Sequence, residues 1–128
     1  MKRSRIYLTV SIFVALLAFA AFAYNYAVNS RYRISSQEAK RRLQENEFDV
    51  ILDVRTDLER STLGFYPGSV HIQSSDLELA MPRQFPNKTA RILAYCNTGH
   101  RARMATEKLQ TLGYKNSVYI ATTYKSLY

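Results

Sequence analysis

The chain has 128 residues and a formal charge of +8, but Lys2, Arg3, Arg5, Arg31 and Arg33 carry five of those charges in a first 33 residues that hold no acid. The other 95 residues, with 13 bases against 10 acids, carry only +3, too few and too mixed for the clustered basic face that nucleic acid requires, so no nucleic-acid partner is expected. A lone cysteine excludes an internal disulfide and a zinc site built on paired cysteines, and two widely separated histidines, His71 and His100, make no metal constellation.

In chain order, the first element is hydrophobic. From Ile6 to Tyr24 there are 19 residues without a charge, and at about 1.5 Å per residue a helix of that length nearly matches a hydrocarbon core of roughly 30 Å. Two readings compete. Lys2, Arg3 and Arg5 make a basic leader, and Ala18-Phe19-Ala20 or Ala21-Phe22-Ala23 would serve as a small-residue cleavage site. Against cleavage, the apolar run exceeds the usual signal core of roughly 7 to 15 residues. Tyr24 and Tyr26 suit a membrane interface, and Arg31 and Arg33 follow like a stop. Residues 1–33 are therefore expected to be a single-pass membrane anchor, the alternative being an exported or periplasmic protein after signal cleavage. Bases at both ends leave the positive-inside rule only a slight preference for a cytoplasmic N-terminus and an exported domain. Residues 34–128 have the length of one domain.

That domain reads as alternating helices and strands. Ser35 or Ser36 caps a helix from Gln37 to about Asn46, with Ala39 and Leu43 facing inward and Lys40-Arg41-Arg42 on the solvated side. Val50-Ile51-Leu52-Asp53-Val54 is a short, nearly continuous apolar run, the pattern of a strand buried on both faces. Pro67-Gly68 marks a turn and Ser69 to Ile72 a short strand. Ser75-Asp76-Leu77-Glu78 has the spacing of a capping box opening a helix that Pro82 limits. After a turn at Pro86-Asn87-Lys88, Arg91 to Tyr95 form a strand. Ala102, Ala105, Leu109 and Leu112 make the inward stripe of a helix stopped by Gly113, and Ser117 to Ile120 close the sheet. Units this short imply an α/β fold: a small, mostly parallel sheet flanked by helices on both faces, with its site at the carboxyl ends of the strands.

Cys96 lies at such an end. A strand that feeds through a tight loop into a helix leaves unpaired backbone N–H groups pointing at the loop, a ready place for a thiolate or for the anion it attacks. An isolated cysteine after an apolar strand is more often a small buried hydrophobe; the Gly99-His100-Arg101 that follows turns the reading toward chemistry. An ordinary thiol is only a few per cent ionised near neutral pH, so the loop must favour the charged form. Backbone N–H groups from Asn97 to Arg101, the positive end of the next helix and the Arg101 guanidinium all act in that direction. Gly99 lets the loop curl.

The stretch from about Ser35 to Tyr128 resembles a single rhodanese (sulfurtransferase) domain, in a membrane-anchored or exported form. The resemblance rests on Asp53-Val54-Arg55 after a buried strand, Glu59 four residues on, Tyr66-Pro67-Gly68-Ser69-Val70-His71-Ile72, and the loop Tyr95-Cys96-Asn97-Thr98-Gly99-His100-Arg101. It implies that Cys96 takes a sulfane sulfur from a donor such as thiosulfate, becomes a persulfide, and passes the sulfur to cyanide or a thiol. It implies no cofactor and no metal, and a monomer is expected. Asn97, Thr98, Gly99, His100 and Arg101 would receive the donor, while Asp53, Arg55 and Glu59 would form a structural ion network beside the site. For Arg101 an anion contact and a loop-holding role are equally open. His100, Arg103 and His71, the last standing where many relatives have asparagine, read as non-catalytic. With no second cysteine, the sulfur acceptor must come from outside the chain.

One departure is plain. Where many rhodaneses carry Gly-Gly after the last strand, followed by a helix beside the loop, this chain has Ala121-Thr122-Thr123-Tyr124 and stops at Tyr128. Threonine does not take positive φ cheaply, so the local path is expected to differ and substrate preference with it. Two rivals stay in view: a catalytically silent, membrane-tethered interaction domain on the same scaffold, and a phosphatase or arsenate-reductase-like enzyme. The second needs one more loop residue, with arginine at the position of Ala102.

Overall fold

A computed structural model describes residues 1–128. The elements are α1 (Lys2–Val28), α2 (Ser36–Gln44), β1 (Val50–Asp53), α3 (Asp57–Leu63), β2 (Val70–His71), α4 (Leu77–Gln84), β3 (Ile92–Tyr95), α5 (His100–Thr111) and β4 (Ser117–Tyr119), with 3₁₀ turns at Ser74–Asp76 and Tyr124–Leu127. The four strands form one parallel sheet in the order β2-β1-β3-β4. Leu52 sits opposite Val70 and Ala94, and Ala94 opposite Tyr119. A further parallel rung at Arg33 and Tyr119 covers the edge of β4.

The continuous apolar runs are explained by helices on both faces. Side chains alternate along a strand, so Ile92 and Ala94 face one way, into a cluster with Leu52, Val54, Leu77, Met81, Ala102, Ala105 and Leu109 from β1, α4 and α5. Leu93 and Tyr95 face the other way, packing with Ala39, Ile120 and Leu127. Cys96, one step beyond β3, keeps the parity of Ile92 and Ala94 and lies in the first cluster.

Several expectations need correction. The α2 cap is Ser35, whose hydroxyl accepts from the Glu38 N–H, but the helix ends at Gln44, two residues early. The strand expected over Ser69–Ile72 contracts to Val70–His71, and that closing the sheet ends at Tyr119 rather than Ile120. The Ser75 capping box does not form: Asp76 precedes α4 without a side-chain cap, because the chain is already winding through a 3₁₀ turn. A cap needs extended backbone at its position, and Asp76 is near-helical at φ −99°, ψ −3°. Pro82 lies inside α4, which ends two residues later.

Helix α1 stands apart. It is long and apolar enough to cross a membrane, which as a feature near the N-terminus fits either an anchor or a signal sequence, and its most apolar window packs against nothing. Only Val28 at its end is buried.

Candidate functional site

β3 delivers Cys96 to the carboxyl edge of the sheet, and α5 starts four residues later. Gly99 makes the turn between them at φ +112°, a region open to glycine. Two N–H groups converge on the Cys96 sulfur: that of Gly99 at 3.1 Å and that of Ala102 at 3.4 Å. Ala102 belongs to the first turn of α5, where backbone donors have no partner within the helix. The arrangement is a small cradle closed over one sulfur atom, on a residue that is 1% exposed. The tight fit extends behind Gly99, where a Cβ would lie 2.7 Å from both Cα and Cβ of Ala121.

The rest of the loop spreads outward. Thr98 and His100 are exposed, and the His100 ring meets the Ala27 carbonyl through Nδ1 at 3.2 Å. Arg101 turns to Glu59, with Nη1 on Oε1 and Nη2 on Oε2, both at 2.7 Å. Asn97 donates its Nδ2 to Glu59 Oε2 at 2.8 Å. The arginine pair holds the Glu59 carboxyl down at about 2 and pushes Arg101 up in turn. The guanidinium fork is thus engaged with a carboxylate and braces the loop.

A deeper layer supports this brace. Arg55, fully buried, places Nε on Asp53 Oδ1 at 2.9 Å and Nη2 on Oδ2 at 2.8 Å. Burial pushes the Asp53 carboxyl up, yet the hydrogen bonds it receives from Arg55 and Tyr95 outweigh burial and hold it below its ordinary value. Arg55 also reaches the Gly64 carbonyl at 2.6 Å and Asn97 Oδ1 at 3.4 Å. Asp53, Arg55 and Glu59 therefore share a network built on two arginine–carboxylate pairs, Arg55 with Asp53 and Arg101 with Glu59, with Asn97 between them. His71 stays on the structural side, its Nε2 2.6 Å from the Arg55 carbonyl oxygen.

The sequence reading missed four contributors. Tyr95 donates to Asp53 Oδ2 at 3.0 Å, Arg60 donates to the same oxygen at 3.1 Å, and Tyr124 donates to the Leu63 carbonyl at 3.1 Å. The fourth is α3 itself, which positions Glu59. Its signal was present: Thr56 caps it, accepting from the Glu59 N–H at 3.2 Å and bonding Glu59 Oε1 at 3.1 Å, so Thr56-Asp57-Leu58-Glu59 is the S/T-x-x-E pattern of a helix start. Thr123 takes extended backbone at φ −70°, and a 3₁₀ turn brings Tyr124 to 5.9 Å from the Tyr95 ring, so the C-terminal segment does wall the site.

A model of the rhodanese-like domain matches residues 35–123. Solved structures agree. The human single-domain sulfurtransferase TSTD1 is 26% identical, over 76% of this chain and 95% of its own, with a TM-score of 0.65. The Saccharomyces cerevisiae single-domain sulfurtransferase RDL2 is 20% identical over 77% and 89%, with a TM-score of 0.58. A Rhodopseudomonas palustris protein described as a possible tyrosine phosphatase is 23% identical over 81% and 84%, at 0.67. No curated protein matches the sequence.

Proposed function

The chain belongs to the rhodanese-like domain family, and on that premise we propose that it is a sulfurtransferase whose nucleophile is Cys96. The Cys96 thiolate attacks the outer sulfur of thiosulfate; the sulfur–sulfur bond of the donor breaks and sulfite leaves with its electron pair. The resulting persulfide carries one negative charge on its terminal sulfur. Cyanide or a thiolate then attacks that sulfur, thiocyanate or a new persulfide departs, and the Cys96 thiolate is restored. No proton transfer is required once the thiolate exists, in keeping with a His100 that faces Ala27 rather than the sulfur.

The observation that carries this reading is the pair of N–H donors, Gly99 and Ala102, on the Cys96 sulfur. Donors already aimed at a sulfur cost no reorganisation when negative charge develops at the reacting centre. Asn97, Thr98, His100 and Arg101 form the rim past which the donor reaches the sulfur; Glu59 holds Asn97 and Arg101 as its brace, and Asp53 and Arg55 support that brace from beneath. Residues 1–33 act as a single-pass anchor and residues 34–128 as the catalytic domain, supported by the length and exposure of α1. The test uses the full chain in mild detergent. Thiosulfate should add one sulfur atom to the intact mass, and cyanide should remove it as thiocyanate. If Cys96→Ser gains the same mass and yields the same thiocyanate, the assignment is wrong.

A further inference from the structure

We infer that the last turn of α1 is a rigid joint that presents the carboxyl edge of the sheet, with the Cys96 loop, to the headgroup layer of a bilayer. This rests on the anchor reading above.

A helix ends with carbonyls that lack intrahelical partners and carry partial negative charge. In a flexible tether those of α1 would face water. Here the domain takes up three consecutive ones. Arg103 Nη1 donates to the carbonyls of Tyr26 and Ala27, His100 Nδ1 lies 3.2 Å from the latter, and the Tyr119 hydroxyl donates to that of Val28. The Arg103 guanidinium stands 5.8 Å from the Tyr26 ring centroid, and its Nε is fixed by Glu107 at 3.0 Å. Val28 is 2% exposed, so the joint is packed as well as hydrogen-bonded. Tyr119 ends β4, and His100 and Arg103 are the first and fourth residues of α5. All three receivers thus lie at the edge that carries Cys96, and His100 belongs to its loop.

Helix geometry sets the depth. If Ile6–Tyr24 fill a hydrocarbon core of roughly 30 Å, Tyr26 and Ala27 lie only about 3–5 Å beyond it, within the headgroups. His100 contacts Ala27 there directly. Met104, one turn further along α5, is 55% exposed, and Arg31 and Arg33 follow the joint with charges suited to lipid phosphates. A sulfur donor or acceptor would then be met at the membrane surface.

The protein has no tryptophan, so single reporters can be placed in the full chain reconstituted in phosphatidylcholine/phosphatidylglycerol vesicles. Met104→Trp places one beside the joint; Lys115→Trp places the other past the far end of α5, at the opposite edge of the sheet. With a spin label on the lipid headgroup, fluorescence of the Met104→Trp protein should be quenched at least twofold more than that of the Lys115→Trp protein. In Arg103→Ala/Tyr119→Phe, which breaks the joint and leaves α1 intact, that difference should shrink. Equal quenching in vesicles that retain the protein through an alkaline wash overturns the inference while sparing the anchor. An undiminished difference in the double variant overturns the joint. Protein that washes off overturns both.

Discussion

Gly99→Ala is the substitution whose cost follows most directly from geometry. An L-residue in left-handed backbone costs roughly 1–2 kcal/mol, and Gly99 stands at φ +112°. The new Cβ would also come within 2.7 Å of the Ala121 Cα and Cβ; the first is backbone and cannot swing away, so an overpacking cost of about 1–3 kcal/mol applies. A combined loss near 3 kcal/mol corresponds to a fall in Tm of about 12–24 °C for a domain of this size. The displaced amide is the one that donates to the Cys96 sulfur at 3.1 Å. A hydrogen bond to a charged group contributes about 1.5–3 kcal/mol, so sulfur uptake from thiosulfate should slow at least tenfold at a temperature where the variant stays folded. Adding Ala121→Gly removes one of the two close contacts and should restore roughly 1 kcal/mol, leaving the φ penalty and the backbone contact. Thermal melts by circular dichroism and the rate of mass gain with thiosulfate read the two effects separately. A Tm within about 2 °C of wild type, well inside the fall expected from the packing cost and measured in the same detergent, would refute the close-packed loop.

Arg55→Met should destabilise by about 3–5 kcal/mol, because it removes the guanidinium from the buried Asp53 carboxylate and leaves it only Arg60, Tyr95 and the backbone N–H of residue 55 as partners; urea unfolding reads this, and a loss under about 1 kcal/mol would show that the pair is not holding the site. Glu59→Gln tests the brace through pH. The folded carboxyl lies at about 2 against an ordinary 4.5. A depressed acid contributes its full stability above the unfolded value and loses it as pH falls from 4.5 through 2. The shift corresponds to about 3 kcal/mol at most, and to roughly 1–2 kcal/mol once solvent around Arg101 is allowed for. Wild type should therefore exceed Glu59→Gln by that amount above about pH 5, with the gap closing toward about pH 2; a gap independent of pH would place the stabilisation elsewhere.

What the sequence made legible was local. The apolar runs at Val50–Val54 and Arg91–Tyr95 reported strands buried on both faces, and Cys96-x-x-Gly99 followed by an amphipathic stripe reported the strand-loop-helix cradle. Two motifs of equal local merit have opposite outcomes: Thr56-x-x-Glu59 caps α3, whereas Ser75-x-x-Glu78, with the same spacing, caps nothing. Backbone path decides between them. Thr56 is extended at ψ +162°, while the extended residue before α4 is Gln73, leaving Ser75 already inside a turn. The network beneath the loop was not legible from spacing, since its links join residues about 40 positions apart: Glu59 with Arg101, Glu59 with Asn97, and Asp53 with Tyr95. Such partners are chosen by the sheet, which sets Asp53 directly beside Tyr95 in register.

The same network bears on which cargo the loop can carry. A phosphatase loop must hold three oxygens of a transferred group, and it needs an arginine whose fork is free to meet them. Arg101 has both terminal nitrogens on Glu59 at 2.7 Å. To reach an oxyanion it would release a carboxylate that is still ionised far below neutral pH, leaving that charge beside the incoming group. Two unit charges about 5 Å apart near a protein surface repel by about 3 kcal/mol. Sulfur transfer asks for less. One atom is added to Cys96, its single charge lies on that outer sulfur, one bond beyond the Sγ on which the Gly99 and Ala102 amides converge, and the oxygens of the donor leave with sulfite from the rim. A short loop braced by a locked arginine suits a one-atom cargo, and this favours sulfur transfer over phosphoryl transfer on a fold that has structural neighbours described in both terms.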